Sequence, residues 1–183
     1  TATIARQRGV CVLSHCINLG QGAALQTGVD YARQMHADVA VTFDADGQHR
    51  PDDIAVLLEA LRCADADIAL GSRFLGQAHG LHLARKLLLK TMVFYTRLTT
   101  GLCLTDAHNG LRALRVATTP MLRLRQNRMA HASELPQQIA KYRLRYVEAP
   151  CTIVYTPYSL AKGQRISQAV YIVADLLLGR LRK

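Results

Sequence analysis

Val39-Ala40-Val41-Thr42-Phe43-Asp44-Ala45-Asp46-Gly47-Gln48 is a β-prone apolar run that stops abruptly in carboxylates and glycine. Such a run predicts a short strand buried on both faces, as in a parallel sheet, with the polar segment at its carboxyl end. Upstream, Val10–Leu13 reads as another short strand, followed by a loop holding Gly20 and Gly22. The helical spacing of Ala24, Val29, Ala32 and Met35 then predicts a helix over Ala23–Met35. Downstream, Pro51 with Asp52 and Asp53 marks a helix start, since proline suits the first turn and acids suit the positive end of the helix dipole. Ile54, Leu57, Leu58 and Leu61 form its predicted buried stripe, and Ile68–Leu70 a third strand ending in Gly71-Ser72-Arg73. The resulting β-α-β-α-β order predicts an α/β fold with a parallel sheet and right-handed crossovers.

The second half is less regular. Helices are expected from about Leu83 to Leu98, from Ser133 to Tyr142 and from Arg165 to Leu181, with a polar loop at Thr105–Asn109 and a strand near Cys151–Tyr155. In the last helix Ile166, Val170, Val173, Leu177 and Leu181 share one face, with Arg165, Arg180, Arg182 and Lys183 at its ends. That pattern fits a helix lying in a membrane interface and equally a helix packed on a soluble core.

A chain of 183 residues, half apolar and one-fifth charged, is long enough for one domain with a sizeable core and too ordinary in composition for disorder. Five scattered cysteines, an odd number without a Cys-x-x-Cys pair, read as free thiols of a reducing compartment. The net charge of +10 is uneven: residues 1–92 hold nine basic and nine acidic side chains, whereas residues 93–183 hold fourteen basic ones against Asp106, Glu134, Glu148 and Asp175. A basic half calls for an anionic partner. Without tryptophan and with few aromatics the chain lacks stacking platforms, so phosphates or anionic lipid come ahead of nucleic acid. No apolar stretch approaches the ~20 residues that span a bilayer.

In open α/β sheets ligands bind beyond the carboxyl ends of the strands, where Asp44 falls. Asp44 and Asp46, two apart, project to the same side of extended backbone, and a turn at Gly47 brings the Gln48 amide oxygen toward them. Such hard oxygen donors suit Mg²⁺ or Mn²⁺, completed by diphosphate oxygens and water. The same carboxylates also fit a plain turn cap. Gly20-Gln21-Gly22 before a helix is suited either to a phosphate or to turn chemistry alone. Asp44 lies ~20 residues beyond these glycines, as in a dinucleotide-binding fingerprint, but the third glycine is missing and the doubled acid argues against a dehydrogenase. Seven histidines include no set with structural-zinc spacing.

Taken together, Asn18-Leu19-Gly20-Gln21-Gly22-Ala23-Ala24, Asp44-Ala45-Asp46-Gly47-Gln48-His49, Gly71-Ser72-Arg73-Phe74, Thr105-Asp106-Ala107-His108-Asn109-Gly110-Leu111-Arg112-Ala113 and Ser159-Leu160-Ala161-Lys162-Gly163-Gln164 resemble, in order, the motifs of family 2 glycosyltransferases. The resemblance is closest to the branch of dolichol-phosphate mannose synthase and bacterial polyprenyl-phosphate glycosyltransferases. It implies a GT-A fold, with a mostly parallel sheet over residues 1–164 and the amphipathic basic helix at 165–183. It also implies a nucleotide-diphosphate sugar donor, a divalent metal, inversion at the anomeric carbon and a polyprenyl-phosphate acceptor. By the same resemblance Asp44 lies by the donor ribose and metal, Asp46 and Gln48 ligate the metal, and Gly20 and Gly22 border the donor. Asp46 and Arg73 are then the catalytic candidates, and Arg73, Arg85, Arg112, Ser159 and Lys162 the candidates for the acceptor phosphate.

A phosphate acceptor is ionised at neutral pH and needs no general base; a sugar hydroxyl acceptor would need one, for which only Asp106 and Glu134 qualify in the second half. The rivals are therefore a transferase acting on a saccharide hydroxyl and a catalytically silent chain that binds membrane or protein. The expected setting is cytoplasmic, peripheral at an anionic inner membrane face. The family's first two strands, which hold the nucleotide base, have no counterpart here, so an open sheet edge and self-association into a homo-oligomer are expected.

Overall fold

The structure is a computed structural model that describes residues 2–123 and 130–155, with only the backbone described for 130–133. In chain order the elements are α1 (Ala2–Gln7), α2 (Gln21–Gln34), β1 (Val39–Thr42), α3 (Asp53–Cys63), β2 (Ile68–His79) and α4 (Leu83–Thr100). They continue with β3 (Arg112–Arg115), a 3₁₀ segment (Val116–Met121), α5 (Ala130–Tyr142) and β4 (Tyr146–Val154). The helices predicted within the described residues and the strands at 39, 68 and 151 have counterparts, but β1 ends the described sheet and its four residues are half-buried rather than buried on both faces. The helix expected at 165–181, with Ser159 and Lys162 before it, lies outside the described residues.

Two further expectations are corrected. Val10–Leu13 forms no strand: Val10 is 56% and Leu13 46% exposed, and among the described residues no strand pairs with this run. An apolar run becomes a strand only where a sheet edge accepts its backbone groups. The sheet is also mixed, in the order β1-β3-β2-β4. β1, β2 and β4 run the same way, but β3 is inserted between β1 and β2 antiparallel to both, so the first two predicted strands are not neighbours.

Side-chain alternation places a core on each face of this sheet. Ala69 and Ala113 point to one side, with Leu57 and Leu61 of α3 and with Leu111, Cys151 and Ile153. Ile68, Leu70 and Leu114 point to the other, with Val29 of α2, Leu135 and Ile139 of α5, and Leu104. The stripe of α3 is narrower than predicted, since Leu58 is exposed, and so is Met35 beyond α2. Asp53 at the start of α3 accepts the Thr152 amide of β4 at 2.7 Å, tying helix to sheet.

β2 changes character along its length. Ile68–Arg73 are buried, and the register against β4 breaks between Ser72 and Gln77. Ser72 Oγ accepts the amides of Phe74 and Leu75 there, satisfying groups that leave the ladder. Gly76 lies so close to Cys151 that a Cβ would strike its backbone, which explains glycine at that position. The consequence of the irregularity is that Arg73 stays inside while the strand beyond it turns to the surface.

Candidate active site

The site begins where β1 ends. Asp44 follows the strand by two residues, and Gln48 returns in a turn whose Gly47 has φ +82°. Asp46 Oδ1 accepts the Gln48 amide at 3.0 Å, so the cap reading of this carboxylate is realised, and Asp46 is otherwise exposed. The Gln48 carbonyl accepts Val154 N–H at 3.0 Å, fastening the turn to β4. His49, next along, is 8% exposed; its Nε2 lies 3.8 Å from Asp44 Oδ2 and its ring faces Phe43 at 5.7 Å.

The glycine loop arrives at the same place. Gly20 has φ +87°, its amide donates to Asn18 Oδ1 at 2.9 Å, and α2 starts immediately after it. Gln21, the first helical residue, donates its side-chain amide to Asp44 Oδ1 at 3.1 Å. Gly22 is buried in the first turn. The positive end of α2 therefore abuts the Asp44 carboxylate.

The segment 105–112 closes the other side. Thr42 Oγ1 donates to the Gly110 carbonyl at 2.6 Å, and the Asp44 carboxylate lies directly over Gly110, in the space a Cβ would occupy. Arg112 is buried and donates Nε to the Asn109 carbonyl at 2.8 Å. Burial lowers its pKa, opposed by the negative charges of Asp44 and Asp106, so its guanidinium lies in the field of both. Glu148 of β4 pins the segment's start by accepting the Thr105 and Asp106 amides and the Thr105 hydroxyl.

Arg73 and Asp106 form a buried pair at 2.6 Å, with side chains 8% and 1% exposed. Arg73 also donates to the His108 carbonyl at 2.6 Å and to the Tyr155 hydroxyl. Burial works against the Arg73 charge, but Asp106 and Tyr155 more than offset it, and its pKa stays above the usual value. Asp106 further accepts the Arg73 amide at 3.2 Å, and His108 N–H reaches its Oδ1 at 3.3 Å. Arg85 of α4 lies over the Tyr155 ring at 4.9 Å. Cys151, against Asn109 Nδ2 at 3.1 Å, is pushed up to about 11 by burial and is no nucleophile at neutral pH.

Of the residues singled out from the sequence, the fold thus gathers Gly20, Gly22, Asp44, Asp46, Gln48 and Arg112 at the end of β1, and Arg73 and Arg85 beside Tyr155. Sequence reasoning missed Gln21 as an Asp44 partner, Glu148, and Tyr155, which is 82 residues from Arg73 with no local pattern to join them. Among the described residues no three His, Cys, Asp or Glu side chains converge. The turn carries the carboxylates of Asp44 and Asp46 and the Gln48 amide oxygen, oxygen atoms of the kind that suit a hard divalent cation.

The chain is 34% identical over 178 residues to the UDP-N-acetylglucosamine–dolichyl-phosphate N-acetylglucosaminyltransferase of Methanococcus voltae, covering 95% of this chain and 71% of that protein. It is 30% identical over 180 residues to the polyprenol monophosphomannose synthase of Mycolicibacterium smegmatis, covering 94% and 68%. Among solved structures it resembles glucosyl-3-phosphoglycerate synthase from Mycobacterium tuberculosis in complex with Mn²⁺ and UDP-glucose, at TM-score 0.61 and 17% identity, covering 94% of this chain and 61% of that one. The fold is the GT-A glycosyltransferase fold. A family model described as Glycosyl transferase family 2 matches residues 1–118, in which the Asp44 turn, the glycine loop and the Arg73–Asp106 pair all lie, and the chain belongs to that family.

Proposed function

We propose that this chain carries the catalytic centre of a metal-dependent, inverting glycosyltransferase that moves a hexose from a nucleotide-diphosphate sugar to a polyprenyl phosphate. The donor diphosphate is assigned to the end of β1, between the Asp44–Gln48 turn and the N-terminus of α2. When bound there, a divalent cation held by Asp44, Asp46 and Gln48 would neutralise the diphosphate as the sugar bond breaks. The relatives named for dolichyl-phosphate and polyprenol substrates support the acceptor class, and the Mn²⁺–UDP-glucose complex of the structural neighbour supports metal and donor.

The observation that favours a phosphate acceptor is the locked state of Asp106, one of the two carboxylates that a hydroxyl acceptor could use. It is 3% exposed and committed to Arg73 and to backbone amides, so it offers no general base for a hydroxyl nucleophile. A phosphate acceptor needs none: its oxygen forms the bond to the anomeric carbon from the face opposite the leaving diphosphate, and the bonding pair leaves with the nucleoside diphosphate. Arg73, Arg85 and Arg112 supply the positive charge of this region, with Arg85 half-buried and the best placed to meet an incoming phosphate.

Such an acceptor resides in a bilayer, and α4 has the surface to meet one. Leu83, Leu87, Phe94 and Leu98 fall on one face and are 81%, 68%, 62% and 63% exposed, flanked by exposed Lys86, Lys90 and Arg97, with no acid in the helix. Among the described residues no helix is long and apolar enough to cross a membrane, so contact is proposed as peripheral, at an anionic surface. The test of the donor half is calorimetric titration with UDP-sugars and GDP-mannose in Mn²⁺ and in EDTA. Saturable binding only with the metal supports the reading; binding indifferent to EDTA removes the metal assignment.

A further inference from the structure

We propose that Tyr155 is a positioning residue that fixes Arg73 through its hydroxyl and Arg85 through its ring, presenting the Arg85 charge to the acceptor phosphate. This inference rests on the acceptor reading above. Tyr155 is itself firmly held: it is 7% exposed and its amide donates to the His79 carbonyl at 3.0 Å. Gly80, at φ +77°, lets the end of β2 close on it, since a Cβ there would stand 3.1 Å from the Tyr155 carbonyl.

The two arginines it touches are in opposite electrostatic situations. The Arg73 charge is matched by Asp106 at 2.6 Å, whereas Arg85 has no carboxylate partner among the described residues and rests on the aromatic face at 4.9 Å. A carboxylate in place of that ring would hold Arg85 equally well but would cancel its charge and repel a phosphate. The ring orients the guanidinium through its quadrupole and leaves the N–H donors and the net charge available. Lys90 on the same helix is treated alike, its ammonium lying 4.0 Å from the centre of the Phe74 ring.

The two handles separate by substitution. Tyr155→Phe removes the hydroxyl and keeps the ring; Tyr155→Leu removes both. The position of Arg85 is read from its Nε–H resonance, identified with Arg85→Lys, which ring current shifts upfield in the wild type. Acceptor affinity is read by titration with farnesyl phosphate, with farnesol as the phosphate-free control. In Tyr155→Phe the ring-shifted resonance stays and farnesyl phosphate affinity falls less than about threefold. In Tyr155→Leu the shift is lost and affinity falls about three- to thirtyfold, the range expected for one cation–π contact, while nucleotide-sugar affinity holds. Tyr155→Leu that keeps the shift, or that weakens donor and acceptor equally, overturns the positioning role. Wild type that shows the shifted resonance but takes no farnesyl phosphate overturns the acceptor reading instead, and retention or loss of the shift in Tyr155→Leu then decides the Tyr155–Arg85 contact on its own.

Discussion

Replacing Asp106 by alanine removes the anion beneath Arg73 and isolates a guanidinium whose side chain is only 8% exposed. The wild-type carboxylate receives Arg73 Nε at 2.6 Å, the Arg73 amide at 3.2 Å and the His108 amide at 3.3 Å. After the substitution the guanidinium keeps the His108 carbonyl and the Tyr155 hydroxyl, both neutral. Breaking a buried pair from one side costs about 3–5 kcal/mol, because the surviving charge is uncompensated. For a chain of this size that is a drop of about 6–20 °C in melting temperature. Asp106→Asn preserves shape and one acceptor, and its cost should be nearer the ~1.5–3 kcal/mol of a charged hydrogen bond. The double variant Arg73→Met/Asp106→Leu, which removes both charges, should be more stable than Asp106→Ala alone. Urea denaturation with a constant m-value reads all three. Asp106→Ala costing under about 1 kcal/mol, or a double variant no better than the single one, would refute the buried-pair argument. The folded Asp106→Asn protein carries a second consequence: transfer should stay within about tenfold of wild type, whereas a general base would show a loss of ~10² or more.

Other outcomes follow from neighbouring contacts. Gly110→Ala places a methyl group where the Asp44 carboxylate lies, and since that is the end of a flexible side chain the fold should tolerate it. Melting should change little while metal-dependent donor affinity falls at least about tenfold; unaltered affinity would detach Asp44 from the donor site. Cys151, raised to about 11 and buried, should resist iodoacetamide at pH 8 in the native protein, whereas the exposed Cys11, Cys16, Cys63 and Cys103 react. Mass spectrometry should then find four adducts in the folded chain and five after denaturation. Asp67 is held below its ordinary 3.8 by hydrogen bonds from Arg145. A lowered carboxylate pKa contributes stability above the unfolded value that is lost as pH falls through the folded one. Melting temperature should therefore fall on acidification below about pH 4 less steeply in Asp67→Asn than in wild type, by a small margin because the Arg145 partner is largely exposed. Equal slopes would remove the contribution.

The part of the fold legible in the sequence was the part whose signals are local. The run Val39–Thr42 ending at Asp44, the proline and acids before α3, and the 3.6-residue spacing of Leu57 and Leu61 each carry their own structure. β3 was hidden because Arg112-Ala113-Leu114-Arg115 has no β-branched residue and two charges. It is a strand because β1 and β2 bracket it, and its arginines are satisfied from outside, Arg115 Nε by the Ala66 carbonyl at 2.7 Å. Val10–Leu13 failed in the converse way, an apolar run with no edge to join among the described residues. In the site, Asp44 and the glycine loop were legible because strand ends and helix starts are where α/β sheets bind ligands. That Arg73 would be buried on Asp106, with Tyr155 linking it to Arg85, depended on contacts across 33 and 82 residues that spacing does not encode.

The most direct test of the account is transfer itself. Radiolabelled UDP-N-acetylglucosamine and GDP-mannose are each incubated with the protein, Mn²⁺ and undecaprenyl phosphate, and label is measured in the organic phase. Lipid-borne label is expected with at least one donor, abolished by EDTA and by Asp46→Ala, and none when an oligosaccharide replaces the lipid phosphate. Label entering the oligosaccharide instead, or lipid label that survives both EDTA and Asp46→Ala, would contradict it.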